Sequence, residues 1–279
     1  MDAWIAEFRL SITRALADQL ATTLKPLSPA VLGPGALSKV EARPGVYVLF
    51  VDGKRVYVGK AASNLRARLE QHYRKLSGRA GITMSDVRFT CVYVDEDLDS
   101  AAPEKLLIKK YRLDDTIPWN TNGFGNKDPG RNRDRSVVKA KHFDAVYPID
   151  LNYRLSIPVT GWAVADLLDK LKRELPYLLR YENKNGAHLA ELKRTRVELP
   201  AVELPAREAL ISIIDALPAG WQATALPGYV ILYKEETSYD SALLWWHRDP
   251  RDGEVYETPG PQRFDTGDVE TSEQGDLFD

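Results

Sequence analysis

The stretch GVYVLFVDGKRVYVGKAASNLRARLEQH, residues 45–72, decides how this chain folds. Residues 46–51 are a β-branched and aromatic run, and residues 55–59 are a second one. Asp52-Gly53 lies between them. That dipeptide tolerates the left-handed backbone of a tight hairpin turn, so the two runs are predicted to pair antiparallel. Ser63 or Asn64 is placed to cap a helix over residues 65–76, its side-chain oxygen accepting an otherwise unpaired N–H of the first turn. On that helix Leu65, Arg68, Leu69 and His72 recur at i, i+3, i+4 and i+7 and share a face. Arg68 and His72 therefore stand beside leucines that need burial, whereas Arg66, Glu70 and Arg74 look outward. Tyr47 and Tyr57 lie on the two strands, and facing strands can bring their side chains to one surface.

The rest of the chain is read outward from this unit. Residues 3–23 repeat apolar side chains near helical spacing and read as a packing helix. A connection rich in Pro and Gly follows over 24–44. Downstream, residues 87–94 (VRFTCVYV) form a third strand, then an acidic turn. Pro103 suits the first turn of a helix that reaches about residue 111, with Glu104, Leu107, Ile108 and Tyr111 on one face. Trp119-Asn120, a glycine-rich loop at 123–130 and the run RNRDRS come next.

These elements predict an α+β fold: a small central mixed or antiparallel three-stranded sheet flanked by helices, with an additional α+β C-terminal region. The expected divisions are an N-terminal helix and connecting arm (1–44), the main domain (45–148), an accessory region of unassigned role (149–264) and a disordered acidic tail (265–279). In the accessory region, helices are expected over 164–175, ended by Pro176, and over 207–217. Strands are expected at 229–233 and 242–246. The direct repeat VELPA-VELPA at 197–206 is expected to be an extended linker.

Composition bounds the function. Apolar residues are 44% of the chain, enough for a core. The single cysteine, Cys91, excludes an internal disulfide and a cysteine-based zinc site, and its apolar surroundings favour a small core residue over a nucleophile. Early acidic residues argue against a secretion signal, and no run approaches the roughly 18 apolar residues of a membrane span. A soluble, cytoplasmic protein with no membrane partner is expected. The net charge of −2 argues against nucleic acid, but its distribution argues for it. Residues 54–141 hold 19 basic and 11 acidic side chains, and residues 142–279 hold 14 and 24. Phosphate binding depends on local field, so the basic middle weighs as much as a solvated charged surface would.

Singly, each polar group has an ordinary explanation. Two strand tyrosines can pack in a sheet, Arg68 and His72 can form salt bridges, and Glu104 can favour the helix dipole. Their company points elsewhere, because a carboxylate beside Leu107 and Ile108 needs a partner or a metal to stay ionised. GVY at 45–47, YVG at 57–59, Arg68 on a helix and the later Glu104 resemble the GIY-YIG nuclease superfamily. Arg68 and His72 four apart, and Trp119-Asn120 followed by a GFGN loop and a basic run, resemble its type II restriction endonuclease branch that cuts GC-rich palindromes, including the SacII-site group. The resemblance covers roughly residues 43–148.

That resemblance implies a Mg²⁺-dependent DNA endonuclease, with Mn²⁺ as a substitute ion. It implies catalytic roles for Tyr47, Tyr57, Arg68, His72, Glu104 and Asn120. Glu104 holds the metal and Tyr47 is the candidate general base, a role Tyr57 could exchange with it. His72, Lys60 and Arg68 lower the phenol's proton affinity, Arg68 also holds a phosphate oxygen, and Asn120 supports the metal–phosphate geometry. Lys60, Arg131, Arg133 and Arg135 are the DNA-binding candidates. The three arginines can read guanine by paired hydrogen bonds or contact only phosphate. Cutting both strands of a palindrome implies a homodimer, and a DNA methyltransferase acting on the same site is the expected partner. The competing expectations are a GIY-YIG repair or mobile-element enzyme that nicks DNA, and a non-catalytic DNA-binding protein on the same scaffold.

Overall fold

A computed structural model describes residues 12–94, 103–114, 117–125, 130–159, 161–184 and 186–267. The expected helix segment at 3–11 and the tail from 268 lie outside them. Contacts divide the chain into two units, Met1–Asn126 and Lys127–Asp279. The division falls upstream of the boundary expected near residue 148, because the basic run packs with the C-terminal elements.

In the first unit the elements are α1 (Ile12–Leu24), β1 (Ala30–Val31), α2 (Pro34–Leu37), β2 (Gly45–Val51), β3 (Lys54–Ala61), α3 (Leu65–Ser77), β4 (Val87–Tyr93) and α4 (Pro103–Asp114). The sheet is antiparallel in the order β1-β4-β2-β3. The three expected strands are β4, β2 and β3, and the two-residue β1 adds a fourth at the edge beside β4. Asp52 and Gly53 both adopt positive φ, 49° and 73°, as a type I′ hairpin turn requires. One face of the sheet, through Val46, Val48 and Val58, packs with Leu20 and Leu24 of α1 and Leu107 and Tyr111 of α4. The opposite face receives α3.

A β-bulge falls in the hairpin: Leu49 pairs with Tyr57, whereas Phe50 pairs with Arg55, so Val56 is the extra residue. It moves Arg55 off the tyrosine face and places its guanidinium 3.8 Å from the Tyr111 ring centroid. Arg66, expected to look outward, is half-buried and donates to the backbone oxygens of Val40 and Ser38, tying the α2 segment to α3.

The second unit contains β5 (Val138–Lys139), α5 (Phe143–Val146), β6 (Arg154–Ser156), β7 (Trp162–Ala163), α6 (Val164–Glu174), β8 (Leu178–Tyr181), α7 (Gly186–Arg194), β9 (Arg196–Val197), β10 (Glu203–Pro205), α8 (Ala206–Ala216), β11 (Trp221–Leu226), β12 (Tyr229–Lys234), β13 (Leu244–Arg248), β14 (Val255–Pro259) and β15 (Phe264–Asp265). Its main sheet runs β14-β13-β11-β12-β8, antiparallel except for the β12–β8 pair. Leucines and isoleucines of α6 and α8 bury against Ala223, Val230, Leu232 and Trp246. The VELPA repeat is no passive linker: its ends pair as β9 with β7 and β10 with β6.

Candidate active site

Strand register explains how the tyrosines meet. Tyr47 lies opposite Gly59 and Leu49 opposite Tyr57, so Tyr47 and Tyr57 are diagonal neighbours on the same face. Their ring centroids are 6.1 Å apart. Gly59 is required at its place, because the Tyr47 ring lies across it. A Cβ there would come within 2.8 Å of Tyr47 Cε2 and nearer still to its Cζ and Oη. Gly45 is similarly confined between Leu65 Cδ2 and the Val92 oxygen, each 2.8 Å from a built Cβ.

Onto this face α3 brings its buried row, Leu65, Leu69, His72 and Leu76. Asn64 is the cap, its Oδ1 accepting from Ala67 N at 2.9 Å. The Tyr47 hydroxyl and His72 Nε2 are 2.6 Å apart. Arg68 Nε donates to the same hydroxyl oxygen at 3.3 Å, and Arg68 Nη1 donates to Gln71 Oε1 at 3.1 Å. One phenol oxygen thus faces an imidazole nitrogen and a guanidinium.

Burial first, then the cations of Arg68 and Lys75, push the His72 imidazole down to about 3, so it is neutral at physiological pH. Burial would by itself lower the Arg68 guanidinium, but the hydroxyls of Tyr47 and Tyr57 outweigh it and raise it. Arg68 stays charged. Beside it an open cavity of about 330 Å³ is lined by Lys60, Ser63, Asn64, Arg68 and Gln71, among others, with room for a phosphate group.

Asn120 closes the outer edge of β3. Its Oδ1 accepts from Val58 N at 2.9 Å and its Nδ2 donates to Val58 O at 2.8 Å, so the side-chain amide stands in for a neighbouring strand. Both polar ends are therefore spent on the backbone between Tyr57 and Gly59. The segment that carries Asn120 continues to Phe124, which stacks on His72 at 5.0 Å and meets Tyr57 edge-on at 4.9 Å.

Glu104 is the second residue of α4, and its side chain lies outside the described residues. Among the described residues no three His, Cys, Asp or Glu side chains cluster as a metal site. The basic run lies in the second unit. Arg131 pairs with Glu182 at 3.3 Å and Glu235 at 3.7 Å and lies over the Tyr233 ring. Arg133 pairs with Asp144 at 3.1 Å beside His142. Arg135 is exposed and has no ion-pair partner among the described residues.

Tyr47, Tyr57, Arg68 and His72 are thus brought together, Lys60 and Asn120 flank them, and the three arginines belong to the other unit. Sequence reasoning missed Gly59 as the seat of Tyr47, Gln71 as the partner of Arg68, and Lys75 and Phe124 around His72. Lys75 stood three residues beyond His72 and was legible as its helical neighbour; nothing local marked Phe124. Cys91 is half-buried and pairs across the sheet with Tyr47, and burial raises its thiol.

No helix among the described residues is long and apolar enough to cross a membrane. No curated protein matches the chain. Residues 43–116, the segment that builds the hairpin, α3, β4 and α4, match the GIY-YIG catalytic domain family, which supports the nuclease superfamily and indicates a phosphodiester hydrolase acting on DNA.

Proposed function

We propose that the chain is a divalent-metal-dependent restriction endonuclease that cuts both strands of a GC-rich palindromic DNA site as a homodimer. The observation that carries the reading is the Tyr47 hydroxyl held between neutral His72 and charged Arg68. A free phenol is a poor base at neutral pH because its proton leaves only near pH 10. Here Arg68 favours the phenolate. In the tautomer with its proton on Nδ1, His72 Nε2 accepts a hydrogen bond from the Tyr47 hydroxyl and orients it; the phenolate, its proton lost to solvent, takes one from water. The water oxygen then bonds to phosphorus, the bond to the 3′ oxygen breaks, and that oxygen takes a proton from solvent. Arg68 and Lys60, at the cavity wall, offset charge on the phosphate oxygens. Tyr57 orients the water or the phosphate.

The ion suits hard oxygen donors, and hydrated Mg²⁺ held through one carboxylate needs no clustered ligands. Glu104, near the start of α4, is the residue that would hold it. When bound, such an ion supplies Lewis-acid polarisation of the phosphate and neutralises the leaving oxygen. Asn120 supports the site through β3. Of the three arginines, Arg135 is the one left for a guanine edge, since Arg131 and Arg133 are engaged internally. A DNA methyltransferase protecting the same site is the matching partner.

Supercoiled plasmid incubated with Mg²⁺, followed by mapping of the ends, tests the reading. Discrete double-strand ends, lost with a chelator and in Glu104→Gln, are expected. Undiminished cleavage by Glu104→Gln overturns the metal assignment, and scattered nicks overturn the restriction reading.

A further inference from the structure

We propose that Phe124 and Lys75 are positioning residues for His72, the Phe124 ring seating and drying the imidazole and Lys75 fastening Phe124 over it. Phe124 is 2% exposed, and its ring lies nearly parallel to His72, 5.0 Å away with 19° between planes. His72 is therefore held between the Tyr47 hydroxyl at Nε2 and an aromatic face. The segment is tethered at several points. Asn120 fixes its start on Val58. Buried Trp119 backs Phe124 at 4.8 Å. Lys75 Nζ donates to Phe124 O at 2.6 Å and lies 4.8 Å from the ring centroid. Because Lys75 and His72 are one helical turn apart on α3, one helix holds both the imidazole and the clamp on its cover.

The physical effect is on protonation. The groups facing His72 are Tyr47 from β2, Tyr57 from β3 and the cations Arg68 and Lys75 from its own helix. Among the described residues of the covering segment only aromatic rings reach it. Water exclusion and two cations disfavour imidazolium, and Phe124 supplies much of the exclusion. The neutral form is the one that can accept a hydrogen bond from the Tyr47 hydroxyl. This kinetic consequence rests on the nuclease reading; the effect on His72 does not.

The test is an NMR titration of the His72 imidazole in the full chain, assigned with His72→Gln, for wild type, Phe124→Ala, Phe124→Leu, Phe124→Tyr and Lys75→Met. Wild type is expected to show no titration above about pH 4.5. Phe124→Ala is expected to move it into the window of about pH 5–6.5, towards the free imidazole value. Phe124→Tyr is expected to restore the wild-type curve, and Lys75→Met to shift it less than Phe124→Ala. In plasmid cleavage, Phe124→Ala is expected to gain an acid limb in the same window and to fall about tenfold at pH 7. A Phe124→Ala protein that is folded by circular dichroism and still silent above pH 4.5 overturns the proposal. If that variant does not fold, Phe124→Leu decides by the same criterion. A moved titration in a protein that cleaves no DNA sustains the positioning inference and rejects the nuclease reading instead.

Discussion

Gly59→Ala is the smallest change that should disable the site. The new methyl would sit 2.8 Å from Tyr47 Cε2 and closer to the Cζ and Oη of the same ring, whereas ordinary van der Waals contact begins near 3.4 Å. The Tyr47 ring must therefore move by about 1 Å or the strands must part. Tyr47 is fully buried, so it has no open direction in which to swing. Overpacking of this kind costs about 1–3 kcal/mol of stability. The catalytic cost is larger, because a displacement near 1 Å at a reacting group can lower rate about 100-fold. Gly53→Ala is the control. A methyl there meets nothing within 4 Å, but the residue has φ of 73°, so it costs about 1 kcal/mol of stability through strain and leaves the tyrosines alone. Urea unfolding and Mg²⁺-dependent plasmid cleavage, measured on both variants, separate the effects. A Gly59→Ala protein that cuts at the wild-type rate refutes the placement of Tyr47 across Gly59.

Other perturbations address the neighbouring contacts. Tyr47→Phe keeps the ring and removes the hydroxyl shared by His72 and Arg68, so cleavage should fall by roughly 10²–10⁴ with little change in the urea midpoint; full activity would show that the hydroxyl is a spectator. Asn120→Ala strands both polar groups of buried Val58 and should cost about 2–4 kcal/mol in urea unfolding, with a loss below about 0.5 kcal/mol contradicting the edge-clamp geometry. The His72 imidazole is held near 3 in the folded chain and titrates near 6.5 when unfolded. The unfolded chain therefore binds the extra proton first, so this contribution is complete above pH 6.5 and is lost as pH falls towards 3. Between pH 6.5 and 5 the loss is about 2 kcal/mol, which His72→Gln should abolish; identical pH dependence in the two proteins would contradict neutral burial.

The hairpin and its helix were legible because local chemistry agreed with tertiary need. Asp52-Gly53 fixed the turn, Asn64 fixed the helix start, and the 65, 68, 69, 72 spacing put Arg68 and His72 on the buried face. The bulge at Val56 was not legible, since strict alternation gives no sign of an extra residue, and Arg55 changed faces as a result. Asn120 was identified by its neighbours, but its attachment to Val58 depends on a contact across 62 residues that no local pattern encodes. Arg131 and Arg133 looked like free cations because their partners, Glu182, Glu235 and Asp144, lie on other elements. Asp134 sits inside the same basic run and is buried to receive Arg180 and the Tyr229 hydroxyl, partners far along the chain. Charge patterns along a chain report composition; pairing is decided only when the chain folds.

The central claim is that one phenol oxygen, between His72 and Arg68, drives metal-dependent cleavage of DNA. Single-turnover digestion of plasmid DNA in Mg²⁺ by wild type and Tyr47→Phe, with mapping of every end produced, tests it most directly. Discrete double-strand ends are expected from wild type, with their near-complete loss in the variant. Equal cleavage by the two proteins, or no cleavage by wild type in Mg²⁺ or Mn²⁺ on DNA that carries every GC-rich palindrome, would contradict it.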